Sequence, residues 1–489
     1  MPTRRSLGLY EKYALAMHGL NKAPAVVVSA LLPSSERLDS SNLLASISAL
    51  LAREPHLGSS ITESRTNKPC FQLNEDVKPE QVLVELSKVA SSTEQALLDA
   101  METLNGLDIE SAPLWRVWVY AEDLRTKSRR IVLGIHHILC DGTGAKHLFT
   151  TFLSLLRSPE VQHSPSQVER GLPPTLEETV DIKPSIFTLL RVGLSEFILP
   201  KLPSFLQPRS IPFWPNPAIL PPKDQPTTVK VLFLPSDICA SLSTLPKSHR
   251  VKTLHPVLVI TALSSIANVV LSPRSEPTTT SIDIQSQTPV SLRSPSLGHP
   301  LLTSNYVSSI PHLVSSITPS YLSSTSFWSL TRSFAEHLRS PSSHQSAKEG
   351  MGMLAYIPSG DPSIALEEGE KPSWEKWLER RMTGENPWKS GSFEFSNLGR
   401  TLDDEEGLIR EWIEEGMEGV CWAQPASASG NGLQFNAISC GDVLSISLTW
   451  RKDSIDQEVV DEIWESFEAT LRKVASGEVS EDTSLAELS

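Results

Sequence analysis

The chain reads as an α/β protein built from two successive sandwiches, on three observations. The apolar run Ile131-Val132-Leu133 ends in a tight turn and is followed by a helical pattern from Gly144 to Leu156. The same order of strand then helix returns in the other half, with Val229 to Leu234 followed by Pro256 to Leu271. The length, 489 residues with 39% hydrophobic, suits two large domains as well as three smaller ones.

Taken in order, Leu7 to Leu20 is patterned as an amphipathic helix, and Ala25-Val26-Val27-Val28 as a strand. Leu43 to Leu51 has apolar residues at helical spacing, and Pro55 ends that helix. Trp115 to Tyr120 and Arg130 to Ile135 read as neighbouring strands. From Ser158 to about Thr175 the composition turns to Ser, Pro, Glu and Gln, as in an exposed loop; Lys201 to Thr228, with eight prolines, is irregular. Between them Ile186 to Leu199 is an apolar helix, read as a packed crossover rather than a membrane-surface element because Arg191, Glu196 and flanking prolines interrupt it. Farther on, Ser272 to Ser281 is a loop, Pro289 to Arg293 and Asn305 to Ile310 are short strands, and Phe327 to Leu338 is a helix. Residues 340 to 390 contain Trp374, Trp377 and Trp388 and read as surface helices or a lid. Leu444 to Trp450 alternates as a strand does, and Ile455 to Val474 repeats as a final helix.

Composition narrows the class. A net charge of -14 disfavours a general nucleic-acid binder, which needs a basic face, while leaving room for a local basic patch around an anionic co-substrate. No apolar run approaches the roughly 18 residues of a membrane span. The basic start leads into a segment containing Glu11, Lys12 and His18, unlike a secretory signal, so a cytoplasmic, monomeric protein is expected, with peripheral membrane association left open. The five cysteines have no CxxC spacing and suggest neither a zinc site nor a disulfide framework.

The candidate chemistry sits in His136-His137-Ile138-Leu139-Cys140-Asp141-Gly142, where a strand delivers a histidine pair to a turn. Imidazole takes a proton near neutral pH, and a carboxylate four positions on can hold the local structure. Neighbouring strand residues face opposite ways, so one histidine should work while the other packs. The same divergence disfavours a metal held by His136, His137 and Asp141. A buried pair beside an ordinary Asp-Gly turn is the plainer alternative.

These residues resemble the HHxxxDG signature of the chloramphenicol-acetyltransferase-like superfamily, which includes peptide-synthetase condensation domains, HxxxD acyltransferases and fungal alcohol acetyltransferases. The alcohol acetyltransferase branch is the nearest in further segments: Arg5 to Glu11, Pro113 to Arg116, Pro173 to Glu178 with Pro184-Ser185, Ser396 to Gly399, and Leu448 to Lys452. The resemblance implies two chloramphenicol-acetyltransferase-like α/β sandwich domains, residues 1-180 and 227-489 joined by a crossover 181-226, with an active-site tunnel between them. It implies His137 as general base, Asp141 as the structural aspartate, His136 as motif support and Gly142 as a turn residue allowing close approach. Acetyl-CoA or another acyl-CoA would be the co-substrate and a small alcohol the acceptor.

For the oxyanion or the tunnel, Ser396, Asn397 and Asn305 are candidates, although Ser396 to Gly399 reads equally well as a simple turn with glycine at positive φ. Arg293, Lys389 and Arg400 are candidates for CoA phosphates. Cys140 is read as packing. Where condensation domains carry an arginine-rich stretch, this chain has Arg53-Glu54-Pro55-His56-Leu57-Gly58, so the partner of Asp141 stays open and a peptide-synthetase role is weakened. The expected function is O-acetyl transfer to an alcohol of secondary metabolism; alternatives are an amine acceptor, a longer acyl chain, or a catalytically silent scaffold.

Overall fold

In the computed structural model, the residues described are 3–111, 113–158, 171–202, 214–215, 226–272, 280–294, 303–361, 366–367, 369–383, 391–401, 408–426 and 430–488. The first half carries strands β1 (Arg4–Ser6), β2 (Ala25–Pro33), β3 (Ser59–Thr62), β4 (Cys70–Leu73), β5 (Leu83–Glu85), β6 (Trp115–Val119) and β7 (Ser128–His136). The second carries β8 (Thr227–Leu234), β9 (Ile282–Ser291), β10 (Val307–Ile317), β11 (Phe393–Arg400), β12 (Glu418–Ala423), β13 (Leu433–Cys440) and β14 (Val443–Arg451). They form a five-stranded sheet in the order β12-β2-β7-β6-β5, a six-stranded sheet in the order β10-β9-β11-β13-β14-β8, and a small sheet β1-β4-β3.

Both large sheets are clad by helices, as the twofold α/β reading expects. In β2, Val26 and Val28 face the core shared with the helices Ser40–Arg53 and Gly142–Arg157, while Ala25 and Val27 face the helix Thr93–Asn105. Alternating residues of one strand thus bury both faces of the sheet. On the second sheet, Ile284, Phe395, Phe435 and Leu448 pack with the helices His255–Val270 and Gln457–Ser476.

One segment crosses the expected boundary between residues 1-180 and 227-489. Strand β12 pairs antiparallel with β2, Cys421 opposite Ser29, and so completes the sheet of the first half. The preceding helix, Leu408–Glu414, buries Trp412 in the same core, with its indole donating to Leu153 O at 2.9 Å. The amino-terminal unit therefore borrows residues 408–423 from the carboxy-terminal half.

The helix beginning at Ile186 runs to Gly193 and continues as a wider turn to Ile198. It is not the packed crossover helix expected: Ile186, Phe187 and Leu190 are 64%, 78% and 63% exposed. Apolar periodicity shows that a helix has an apolar face; it does not show what covers that face. Trp374, by contrast, is buried against Ala16 and Met17, so its helix, Ser373–Thr383, packs on the opening helix, Leu9–Gly19. Lys389, Trp388 and most of the two Pro-rich stretches lie outside the described residues.

Candidate active site

Strand β7 ends at His136, and the turn that follows places His137 at the wall of a cavity of about 640 Å³ between the two large sheets. Its walls include Tyr10, His137 and Gly142 from the first half and Gln287, Glu394 and Ser396 from the second. The volume falls within the usual range for small-molecule sites, about 300–1,000 Å³.

The two histidines have different surroundings. His136 is fully buried; its Nδ1 accepts from the Ile138 amide at 3.1 Å, which leaves the proton on Nε2, facing His18 Nδ1 at 3.1 Å. Burial, then the neighbouring histidines, lowers its pKa well below the usual value. His137 Nδ1 lies 3.2 Å from Asn305 Oδ1. A carbonyl oxygen can only accept, so Nδ1 carries the proton and the lone pair is on Nε2. Asn305 is fixed in turn, its Nδ2 donating to His137 O and Ile138 O at 2.9 Å each. Burial lowers the pKa of His137, opposed by the charge of Asp141 and the Asn305 bond. The imidazole is therefore neutral at pH 7.

Asp141 caps the helix Gly142–Arg157, its Oδ1 accepting from the Gly144 amide at 3.1 Å. Its carboxylate also takes a bidentate pair from Arg293, at 2.8 and 3.0 Å, and the Tyr306 amide at 2.9 Å. The acid holds turn, helix and second half together and makes no bond to the His137 ring among these contacts. Gly142 serves close approach: a Cβ there would stand 2.8 Å from Leu398 Cδ2. Lys146, one turn along that helix, donates to Leu398 O at 2.6 Å and Arg400 O at 3.1 Å.

Two expected roles change. Arg293, expected at CoA phosphates, has its guanidinium committed to Asp141 and to Ser304 O at 2.5 Å, because a buried carboxylate demands a partner. Asn305, expected on the tunnel wall or at the oxyanion, lies behind His137 and uses its amide hydrogens on backbone carbonyls. Ser396 and Asn397 do line the cavity, and the expected turn is instead a register irregularity within β11, between Asn397 and Arg400, where Asn397 Oδ1 accepts from the Gly399 amide at 2.8 Å and Gly399 takes φ 68. Arg400 is exposed at the end of β11. Cys140 is fully buried and its thiol is pushed well up by burial, which removes it as a nucleophile.

Other residues of the site were not singled out from the sequence. Tyr10 Oη stands 3.2 Å from His137 Nε2 and 3.3 Å from Nδ1. Burial, with negative charge from neighbours including Glu394 and Asp141, pushes its phenol well up, so it stays a donor. The segment Arg5 to Glu11 presents it: Arg5 pairs with Glu11 at 2.7 Å, and Glu11 caps the Gly8 amide. The stretch Glu54-Pro55-His56, where the superfamily's arginines were sought, holds the opposite loop, as Glu54 accepts from Thr303 Oγ1 at 3.1 Å and His56 Nε2 meets Thr303 O at 3.1 Å. Asn305 is two residues on. The signal for Gln434 was the alternation Leu433-Gln434-Phe435-Asn436-Ala437, polar on one face of β13.

Comparison with solved structures decides the architecture. The chain superposes on the epimerization domain from the third module of tyrocidine synthetase B with a TM-score of 0.59 at 13% identity, covering 98% of each chain. The fold is that of the condensation domains. The condensation domain of the Monacolin K polyketide synthase gives the same TM-score, 0.59, at 11% identity, over 99% of each chain. Residues 16–191, which contain the histidine motif, match the family model of the wax ester synthase/diacylglycerol acyltransferase catalytic domain. A protein of Schizosaccharomyces pombe described as uncharacterized is 29% identical over 210 residues, 42% of this chain and 44% of its own length, so the match spans less than half of that relative. These likenesses support the superfamily expected from the motif.

Proposed function

We propose that the chain is an acyl-CoA-dependent O-acyltransferase with His137 as general base. The observation that carries this reading is the anchored tautomer: Asn305 holds Nδ1–H, and the basic Nε2 is left at a cavity shared by both halves. His137 Nε2 takes the proton of an acceptor hydroxyl while the oxygen attacks the thioester carbonyl. The tetrahedral oxyanion collapses, the C–S bond breaks, and the departing CoA thiolate receives the proton from His137, leaving ester and free thiol. Ser396 Oγ is the candidate donor to the oxyanion, and Arg400 the candidate contact for CoA phosphates.

An acetyl donor is the first reading. A longer acyl chain is the second, favoured by the match to a wax ester synthase/diacylglycerol acyltransferase model and by the cavity of about 640 Å³. Thiol release from acyl-CoAs of two to sixteen carbons, with alcohol and amine acceptors, separates them. His137→Ala is expected to lose roughly 10² to 10⁴ in rate. Unchanged turnover would remove the base, and silence with every pair would favour a binding protein.

No described helix is long and apolar enough to cross a membrane. In the helix Ile186–Gly193, however, Thr188, Arg191 and Val192 line the cavity while Ile186, Phe187 and Leu190 face outward. Peripheral seating of this face on lipid at the tunnel mouth is the matching proposal. Flotation with phosphatidylcholine vesicles checks it: Phe187→Ser with Leu190→Ser is expected to lose the vesicle-bound fraction.

A further inference from the structure

The cavity that His137 lines also has a polar station that the transfer reaction does not use. Glu394 on β11 is in register with Gln434 on β13 and with Gln287 on β9, so three polar side chains stand in one row across three strands. Neighbouring strands are about 4.8 Å apart, so one small group can reach adjacent members of the row. All three line the cavity, as does Asn431.

The row is only partly satisfied. Glu394 Oε1 accepts from Gln424 Nε2 at 2.7 Å, and Gln424, which lines the same cavity, also donates to Asn436 Oδ1 at 3.1 Å. Among the described residues, Gln434 Oε1 and Asn431 Oδ1 are buried without a hydrogen-bond partner, and both residues are more than nine-tenths buried. Leaving such atoms unpaired costs about 1–3 kcal/mol each, a cost normally offset by a partner. Burial pushes Glu394 up to about 7 despite the Gln424 bond. Glu394 and Gln434 thus stand in register on the cavity wall that Asn431 also lines, and among the described residues two of the oxygens there have no donor.

We infer that Glu394, Gln434 and Asn431 form a subsite for a second hydroxyl of the acceptor, so that the acceptor is a diol or longer polyol rather than a simple alcohol. This rests on the acyl-transfer reading above and narrows it. One hydroxyl meets His137; the other donates to one of the unpaired oxygens. A hydroxyl fits better than an ammonium, because a cavity that drives its own carboxyl toward the neutral form also penalises a buried cation.

The test compares 1-octanol with 1,2-octanediol, using an acyl-CoA, for wild type, Glu394→Gln and Gln434→Met. Wild type is expected to favour the diol in kcat/KM by about tenfold or more, the worth of one buried hydrogen bond, and each variant to lose most of that ratio. The diol preference of wild type should also change between pH 6 and 8, and that of Glu394→Gln should not. No preference in wild type, or a preference that survives in both variants, overturns the subsite. A stronger preference for 2-amino-1-octanol than for the diol overturns the hydroxyl assignment. Calorimetric binding of the diol alone separates the two levels: if no acyl transfer is seen, diol binding that is lost in the variants still supports the subsite, and absent binding ends it. Thermal unfolding at pH 8 guards against a folding artefact, since Glu394→Gln removes a partly buried charge and should unfold no lower than wild type.

Discussion

At the scale of single residues, the motif divides its work among His137, Asp141 and Gly142, and each division can be tested. Removing Arg293 leaves Asp141 buried and unpaired. Arg293→Ala is therefore expected to cost about 3–5 kcal/mol in urea unfolding, with Arg293→Lys intermediate because it keeps the charge and loses the bidentate geometry. A raised KM for acyl-CoA at unchanged stability would instead restore the phosphate role. Gly142→Ala drives a methyl into Leu398 and should cost about 1–3 kcal/mol, partly recovered by adding Leu398→Ala. No recovery in the double variant would mean that the glycine serves another purpose. Of these roles, the place of the histidine in the turn was legible in the sequence, since the apolar run Ile131-Val132-Leu133 leads to the Asp141-Gly142 pair; what separates His137 from His136 is that the strand stops at His136, not alternation along it. The partner of Asp141 was not: it lies 152 residues away, and nothing local to Arg293 marks it out from other arginines.

Among the elements, strand and helix types were read where periodicity is strong, and the borrowed segment escaped because periodicity has no term for pairing. Glu418–Ala423 is a short strand whose partner, β2, lies almost four hundred residues earlier. The helix Leu408–Glu414 is too short for a repeat to declare itself, yet Trp412 is fully buried between Leu153 and the Arg157 guanidinium, 4.9 Å from its ring. Trp412→Ala is expected to cost about 3–5 kcal/mol and to raise amide exchange in the motif helix, Gly142–Arg157, more than in the final helix, Gln457–Ser476. Equal exchange in both would show that the segment belongs to the second core. The opening helix makes the converse point. Its apolar face was plain from spacing, but the role of Tyr10 at its first turn follows from where Arg5 and Glu11 hold that turn.

For the molecule as a whole, titration gives a check in which signs matter. His255 is held below its usual 6.5, at about 4, by burial. A folded pKa below the unfolded one means that the unfolded chain binds the proton first, so stability is full above pH 6.5 and is lost as pH falls toward 4, by up to about 3 kcal/mol. Glu394 runs the other way: raised to about 7, it favours the folded state below pH 4.5 and withdraws that support as pH rises through 7. Urea midpoints from pH 4 to 8 should therefore show a shallower acid limb in His255→Gln and a shallower alkaline limb in Glu394→Gln; unchanged limbs would mean that these partly buried groups are not shielded enough from water to shift. The sequence by itself determined the α/β class and the strand-turn-helix that carries His137, because each depends on residues within one or two turns of the chain. Only the tertiary structure decided that Asn305 sets the tautomer, that Arg293 balances Asp141, that β12 completes the other half's sheet, and that Glu394, Asn431 and Gln434 line the same cavity as the histidine. Those relations are pairings between strands and loops far apart in the chain, and burial, which gives them their energetic weight, exists only once both halves have closed around the site.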